Sequence, residues 1–225
     1  KLLAFVGQRL DEVIIGRTLE AEILGVYYFG KRIITQLQSM ITNTFSQLLL
    51  PLFSKINNNL ARLKNAYLNI TYLIAVFGFP IFIGLAITVQ LFIPVFFDDQ
   101  WLDSIDIIRI LSFAMIFHVL NAGVSTSLLY SLNKPNLVLI IDLIITIKYL
   151  LALLLFNSFG IVVILITNCI YIICKAIVLQ FFVGRVLNFS IFEYLNIFKT
   201  IVISTISMSL VVMLMQHTLL SDYPN

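Results

Sequence analysis

The sequence predicts an all-α protein whose helices form a polytopic membrane bundle, and three observations predict this class. Hydrophobic residues make up 60% of the 225 residues and charged residues only 11%, whereas typical soluble domains contain about 25% charged residues. About seven long apolar segments are separated by short polar breaks. The breaks alternate between basic and acidic along the chain. Such a chain needs lipid as its main solvent, so its function belongs in or across a membrane.

A helix that crosses a bilayer needs roughly 20 apolar residues, and this length divides the chain into seven segments. Segment one is short and the chain begins with Lys1, so we expect a fragment of a longer protein. Pro80 and Pro94 predict kinks in segment three. Turn residues, including the asparagines at positions 57–59 and 133, mark the breaks. The predicted segments of this single bundle are residues 1–15, 23–53, 66–97, 105–132, 137–156, 161–183 and 194–217.

The charges of the breaks predict an orientation. One side carries mainly basic residues, with Glu193 as the opposing acid: Lys1, Lys55, Arg62, Lys64, Lys134, Arg185 and Lys199. The other side carries mainly acidic residues, against Arg17 and Arg109: Glu20, Glu22, Asp98, Asp99, Asp103, Asp106 and Asp222. Because Lys and Arg accumulate in cytoplasmic loops, we expect the basic side to be cytoplasmic.

Ionisable residues also lie inside the predicted helices, where each costs at least about 2.5 kcal/mol near the bilayer centre unless it is paired or hydrated. Arg9, Lys31 and Arg32 lie at similar depths on segments one and two, close to Asp11 and Glu12. These charges predict either a structural network of ion pairs between the two helices or a cationic lining for an anionic substrate. The sequence leaves both interpretations open.

Three further charges lie in segments five and six. Lys148 is about 18 Å from the expected cytoplasmic end of its helix, at 1.5 Å per residue, and therefore needs an acidic partner or an anion. Lys175 can extend towards the interface or form an ion pair with Asp142. Asp142 and Lys175 are therefore predicted to be structural, like Asp11 and Glu12.

Segment two carries a wide polar face on an otherwise apolar helix. Two neighbouring stripes at helical spacing form this face: Tyr28, Lys31, Thr35, Gln38 and Thr42, and Arg32, Gln36, Ser39, Asn43 and Gln47. Lipid does not accommodate such a face, so it is expected to line water, substrate or another polar helix. Segment four repeats the pattern with His118, Asn121 and Ser125. A lone histidine such as His118 is more often a hydrogen-bonded core residue than a proton carrier.

The sequence contains no recognisable catalytic or metal-binding motif. It has no nucleophile elbow, phosphate loop or paired-carboxylate motif, and no Cys/His spacing typical of zinc. Cys169 and Cys174 lie within one apolar helix and are expected to be free thiols. No basic run suits a nucleic acid. We therefore expect no cofactor, no metal, no nucleic-acid partner and no enzymatic activity.

Several runs of residues carry a family resemblance, which covers about the first 135 residues: 10–17 (LDEVIIGR), 24–28 (LGVYY), 50–55 (LPLFSK), 79–85 (FPIFIGL), Trp101 and 108–112 (IRILS). The chain resembles the C-terminal half of bacterial polysaccharide-unit flippases. These proteins form the polysaccharide transporter branch of the multidrug/oligosaccharidyl-lipid/polysaccharide exporter superfamily.

The resemblance implies two helix bundles around a central cavity, in the bacterial inner membrane. It also implies that lipid-linked sugar units for O-antigen, capsule or exopolysaccharide are flipped between leaflets. The implied partners are a polyprenyl-pyrophosphate-linked oligosaccharide, membrane lipids and a missing N-terminal bundle. Cavity residues are expected to contact the substrate, and the candidates are Arg9, Lys31, Arg32, Gln38, Asn43, His118, Asn121 and Lys148.

Two alternative functions remain. A drug or cation antiporter of the same superfamily would need acidic cavity residues, whereas the charges inside the predicted helices are five cations and three acids. A membrane polysaccharide polymerase or ligase would be expected to have a large outer loop with catalytic Arg or His, and the outer breaks are short.

Overall fold

The computed structural model describes residues 2–156 and 159–221, which form helices joined by short turns and contain no strand. The helices are α1 (Leu2–Thr18), α2 (Ala21–Ile56), α3 (Leu60–Phe96), α4 (Ser104–Ala122), α5 (Val124–Ser131), α6 (Pro135–Phe156), α7 (Ile161–Leu187), α8 (Ile191–Asn196) and α9 (Lys199–Ser221). A single 3-10 turn at Asp99–Trp101 precedes α4. The prediction of an all-α helical bundle is confirmed. Lys1 and Asp222, two of the predicted loop charges, lie outside the described residues.

Five stretches of the described chain are long and apolar enough to cross a membrane: Leu60–Phe96, Ser104–Ser131, Pro135–Phe156, Ile161–Leu187 and Ile191–Gln216. The first two predicted crossings, now α1 and α2, are not among them, so the count of seven remains a prediction. The physical reasons for α1 are length and polarity, because it has only 17 residues and four of them are charged: Arg9, Asp11, Glu12 and Arg17. The polar face of α2 likewise lowers its mean hydropathy.

Some helix boundaries differ from the predicted segments. The break before segment three was expected to extend to residue 65, but α3 begins at Leu60. The Asn59 side chain caps this helix by accepting a hydrogen bond from the Arg62 backbone N–H at 3.0 Å. Segment seven is divided into α8 and α9, and the Ser190 hydroxyl caps α8 by accepting from the Glu193 N–H. Segment four comprises α4 and α5, which meet at Gly123.

The outer surface of the bundle is apolar along several helices. Large side chains with at least half of their surface exposed include Ile144 and Leu155 on α6, Ile177 on α7, and Leu210 and Leu214 on α9. Soluble monomers rarely expose apolar surface of this extent. Together with the five apolar spans, this surface makes the chain a multi-pass membrane protein.

Contacts between turns bring the segments that carry most of the basic loop residues to one end of the bundle. The Asn57 amide donates a hydrogen bond to the Ser131 carbonyl at 3.1 Å, which joins the α2–α3 and α5–α6 turns. Lys64 Nζ lies 2.7 Å from Glu193 Oε1, which joins the start of α3 to α8. We call the end of the bundle that carries Lys55, Arg62, Lys64, Lys134, Arg185 and Lys199 the basic end. At the opposite, acidic end, Trp101 stacks on Phe29 with ring centroids 4.2 Å apart.

The core is organised around α4, which packs against α2, α3 and α7. Helix α6 packs against α7 and α1, and the main partner of α9 is α3. This arrangement leaves two prominent cavities between the described helices. One is polar and lies among α1, α2, α4 and α7. The other is apolar and lies between α9 and the pair α4 and α7.

Candidate functional site

A buried carboxylate organises the polar site. Asp11 on α1 is fully buried and accepts hydrogen bonds from two other helices. Lys31 Nζ lies 2.9 and 2.8 Å from the two Asp11 oxygens. The Tyr27 hydroxyl donates to Asp11 Oδ2, and Asn168 Nδ2 on α7 donates to the same oxygen at 2.6 Å. A buried charge needs such partners to offset its desolvation, so Asp11 ties α1, α2 and α7 together.

Lys31 lies between two carboxylates. Its ammonium group is also 3.0 Å from Glu12 Oε1, and the lysine is 8% exposed. Tyr27 and Lys31 are four residues apart on α2 and therefore share one face of the helix. The charge of Lys31 is thus balanced within the bundle by α1.

A polar cavity of about 290 Å³ opens beside this cluster. Its lining combines hydroxyls, amides and charges of both signs: Gly7, Arg9, Glu12, Lys31, Thr35, Gln38, Ser39, Met115, His118, Asn168, Tyr171, Ile172 and Lys175. The lining matches the chemistry of a polyhydroxylated molecule, which both donates and accepts hydrogen bonds. Among the described residues, no group of three His, Cys, Asp or Glu side chains is arranged to hold a metal ion.

The charges around the cavity balance. Arg9 Nη1 lies 3.8 Å from Glu12, at a largely exposed position, so this pair is weak. Lys175 Nζ lies 2.9 Å from Asp142 Oδ1, and both side chains are about one-fifth exposed. Together with Lys31 and Asp11, the described residues of the cavity and their ion-pair partners contain three cations and three carboxylates. This geometry favours the network of ion pairs over an unpaired cationic lining.

The structure brings together half of the predicted substrate-binding residues. Arg9, Lys31, Gln38 and His118 line the polar cavity. The other four lie elsewhere: Arg32 and Asn43 are exposed and outside its lining, Asn121 lines the apolar cavity, and Lys148 lines neither.

Lys148 lies on an exposed face of α6 together with Ile144 and Leu151. The sequence predicts an acidic partner or an anion for this lysine. Within the ranges that the structure describes, no carboxylate lies within 4 Å of it.

Sequence reasoning missed Tyr27, Asn168 and Tyr171. The predicted polar stripe on α2 began at Tyr28, which is exposed, whereas Tyr27 is fully buried. The spacing of four residues between Tyr27 and Lys31 was the available signal. Asn168 is buried on a strongly apolar helix, and a lone amide in such a helix indicates a polar partner.

A second buried polar network lies among α3, α5 and α7. The Tyr67 hydroxyl donates to Gln180 Oε1 at 2.7 Å and lies 3.0 Å from Ser125 Oγ. Ser125 donates to Asn121 Oδ1 at 3.3 Å. The predicted polar stripe on segment four therefore contributes partly to this structural network, through Asn121 and Ser125.

Comparison with known proteins relates part of this chain to a protein family. Residues 1–106 match a family model described as "Polysaccharide biosynthesis protein". This part of the chain, a little under half of its 225 residues, is similar to the polysaccharide biosynthesis proteins. The match covers α1, α2, α3 and the first residues of α4, and therefore includes most of the charged residues of the cavity. The resemblance predicted from the sequence is confirmed.

Several curated polysaccharide biosynthesis proteins are similar to part of the chain. The teichuronic acid biosynthesis protein TuaB of Bacillus subtilis (strain 168) is 30% identical over 120 residues, covering 53% of this chain and 25% of that protein. The amylovoran biosynthesis protein AmsL of Erwinia amylovora is 31% identical over 77 residues, covering 34% and 20%. The lipopolysaccharide biosynthesis protein WzxC of Escherichia coli (strain K12) is 20% identical over 110 residues, covering 49% and 22%.

Each of these alignments spans a quarter or less of the relative's length. No solved structure matches the chain significantly.

Proposed function

We propose that the whole protein flips lipid-linked oligosaccharide units across the bacterial inner membrane for surface polysaccharide assembly. The observation that carries this proposal is the polar cavity beside Asp11 and Lys31, inside a bundle whose outer surface is apolar. The relatives named for teichuronic acid, amylovoran and lipopolysaccharide biosynthesis support the substrate class.

The balanced charges suggest that the cavity contacts the sugar rather than the pyrophosphate. Gln38, Ser39 and Asn168 offer amides and a hydroxyl along its wall, and sugar hydroxyls pair with such groups. Ligand sites commonly enclose about 300–1,000 Å³, so the cavity of about 290 Å³ is small for a whole oligosaccharide. We expect it to form one wall of a chamber completed by the other bundle.

Transport in this proposal follows from rocking of the two bundles around the chamber. The sugar and pyrophosphate occupy the chamber while the polyprenyl chain remains in lipid. Because no covalent bond is made or broken, the protein is not an enzyme in this proposal.

The test removes hydrogen-bonding groups from the cavity wall without changing charge. Gln38→Leu combined with Ser39→Ala, made in the full-length protein, is expected to lower surface polysaccharide output strongly. Asn65→Leu is the control, because Asn65 is an exposed amide near the start of α3 and lies outside both the cavity and the polar face of α2. Membrane abundance of each variant is measured by immunoblotting.

The location of the accumulated intermediate distinguishes the candidate functions. A blocked flippase leaves lipid-linked units at the cytoplasmic face, where reagents added outside the membrane do not modify them. A blocked polymerase or ligase leaves them at the outer face, and a drug antiporter changes drug susceptibility instead. Normal polysaccharide output from the double variant at normal abundance would contradict the proposal.

A further inference from the structure

The second cavity is a groove of about 1130 Å³ between α9 and the pair α4 and α7. Its walls are mostly apolar, and the side chains that define them are Phe113 and Phe117 on α4, Ile177 and Phe181 on α7, and Val202 and Ile203 on α9. Since α9 packs mainly against α3, the groove separates it from the rest of the bundle. An apolar groove of this size suits an apolar ligand such as the hydrocarbon chains of a lipid.

Two basic residues stand at the mouth of the groove, at the basic end of the bundle. Arg185 lies near the end of α7 and Lys199 begins α9, and both are exposed and line the groove. The Arg185 guanidinium lies 4.8 Å from the centroid of the Phe181 ring, which also lines the groove. In the described part of the chain, neither residue has a carboxylate within 4 Å, and the nearby Glu193 is already paired with Lys64.

The depth of the groove matches one leaflet of a bilayer. Its lining on α7 extends from Ala176 to Arg185, which is about 14 Å at 1.5 Å per residue. Half of a hydrocarbon core of about 30 Å is about 15 Å. An acyl chain that enters at the basic end therefore fills the groove without reaching the opposite leaflet.

We propose that this groove holds an anionic phospholipid from the leaflet at the basic end. The phosphate of the headgroup binds Arg185 and Lys199, and the acyl chains lie between α4, α7 and α9. The positive charges of Arg185 and Lys199 favour an anionic headgroup over a zwitterionic one. The groove is about as deep as one leaflet, and this depth favours acyl chains over a longer isoprenoid chain. The lipid couples α9 to the rest of the bundle, and this site does not depend on the proposed transport function.

The test measures lipid binding to the full-length protein in detergent micelles by native mass spectrometry. Delipidated protein is titrated with phosphatidylglycerol, and phosphatidylcholine serves as the zwitterionic comparison. Arg185→Gln or Lys199→Gln is expected to weaken binding of phosphatidylglycerol about fivefold each, from the usual contribution of one basic residue near an anionic headgroup. Lys134→Gln is the matched control, because Lys134 is exposed at the same end and does not line the groove.

A second pair of variants tests the apolar part of the site. Ile177→Trp places a larger side chain in the groove and is expected to weaken binding of phosphatidylglycerol, with both basic residues intact. Ile170→Trp is the control, since Ile170 is similarly exposed on α7, at 55% against 60%, but lies outside the groove. The thermal unfolding temperature of each variant without lipid shows whether it remains folded.

Three results would overturn the proposal: equal affinity for phosphatidylcholine, equal loss of binding in Lys134→Gln and Arg185→Gln, or unchanged binding in Ile177→Trp. Displacement of phosphatidylglycerol by an equimolar polyprenyl phosphate would also overturn it, because the groove would then belong to a carrier lipid. Polysaccharide output does not enter these measurements, so their failure is distinguishable from failure of the flippase proposal.

Discussion

Replacing Lys31 by Met is expected to destabilise the protein more than replacing Asp11 by Asn. Lys31→Met keeps an apolar stem but leaves the fully buried Asp11 without its cation, and breaking a buried pair in this way costs about 3–5 kcal/mol. Asp11→Asn leaves Lys31 paired with Glu12 at 3.0 Å. That variant loses charge-assisted hydrogen bonds, a cost of about 1.5–3 kcal/mol.

The double variant measures the interaction energy between Asp11 and Lys31 apart from their contacts with other residues. Asp11→Asn combined with Lys31→Met removes both buried charges. The loss in free energy of unfolding of this double variant should therefore be smaller than the sum of the losses in the two single variants, by about 0.5–3 kcal/mol. The assay is unfolding of the full-length protein in mixed micelles, followed by intrinsic fluorescence. Arg32→Met is the control, because Arg32 is the exposed neighbour on α2, and its effect should remain within about 0.5 kcal/mol. Additive losses, or a smaller loss for Lys31→Met than for Asp11→Asn, would refute the reasoning.

Two further predictions concern α2. Gly30→Ala should lower the free energy of unfolding by about 1 kcal/mol in the same assay, because a Cβ there would lie 3.1 Å from Ile107 Cγ2. A Cβ at Gly25 meets nothing within 4 Å, so Gly25→Ala should raise the free energy of unfolding by about 0.5–1 kcal/mol. A loss of stability in both variants would contradict this account of the α2–α4 contact. In a cysteine-free background, Gln36→Cys should react with a membrane-impermeant maleimide and Ile144→Cys should not. The reason is that Gln36 lies on the polar face of α2 and Ile144 lies on the apolar outer surface. Equal labelling of the two variants would show that both faces contact the same solvent.

The sequence predicts the apolar helices well because their length and turn signals are local properties. Helices α6 and α7 begin at or within two residues of their predicted starts, 137 and 161. The start of α3 was less predictable, because three consecutive asparagines at 57–59 read as a turn without showing which of them caps the helix. Only the Asn59 side chain accepts the hydrogen bond from Arg62.

The candidate site was only partly predictable because its partners are distant in the chain. The charges of α1 and α2 are conspicuous in apolar sequence, but Asn168 and Asp11 are 157 positions apart. No local spacing predicts that contact. The phase of α2 also matters, because adjacent residues on a helix point about 100° apart. This difference buries Tyr27 against Asp11 and leaves Tyr28 exposed.

The exposed polar residues of α2 explain where the other half of the proposed chamber would lie. Arg32, Gln36, Asn43 and Gln47 are exposed, whereas the outer surfaces of α6, α7 and α9 carry large apolar side chains. Lipid accommodates the second kind of surface and excludes the first. In the membrane, the polar face of α2 must therefore meet water or another part of the protein. Arg32 and Asn43, which lie outside the small cavity, are then expected to face the larger chamber.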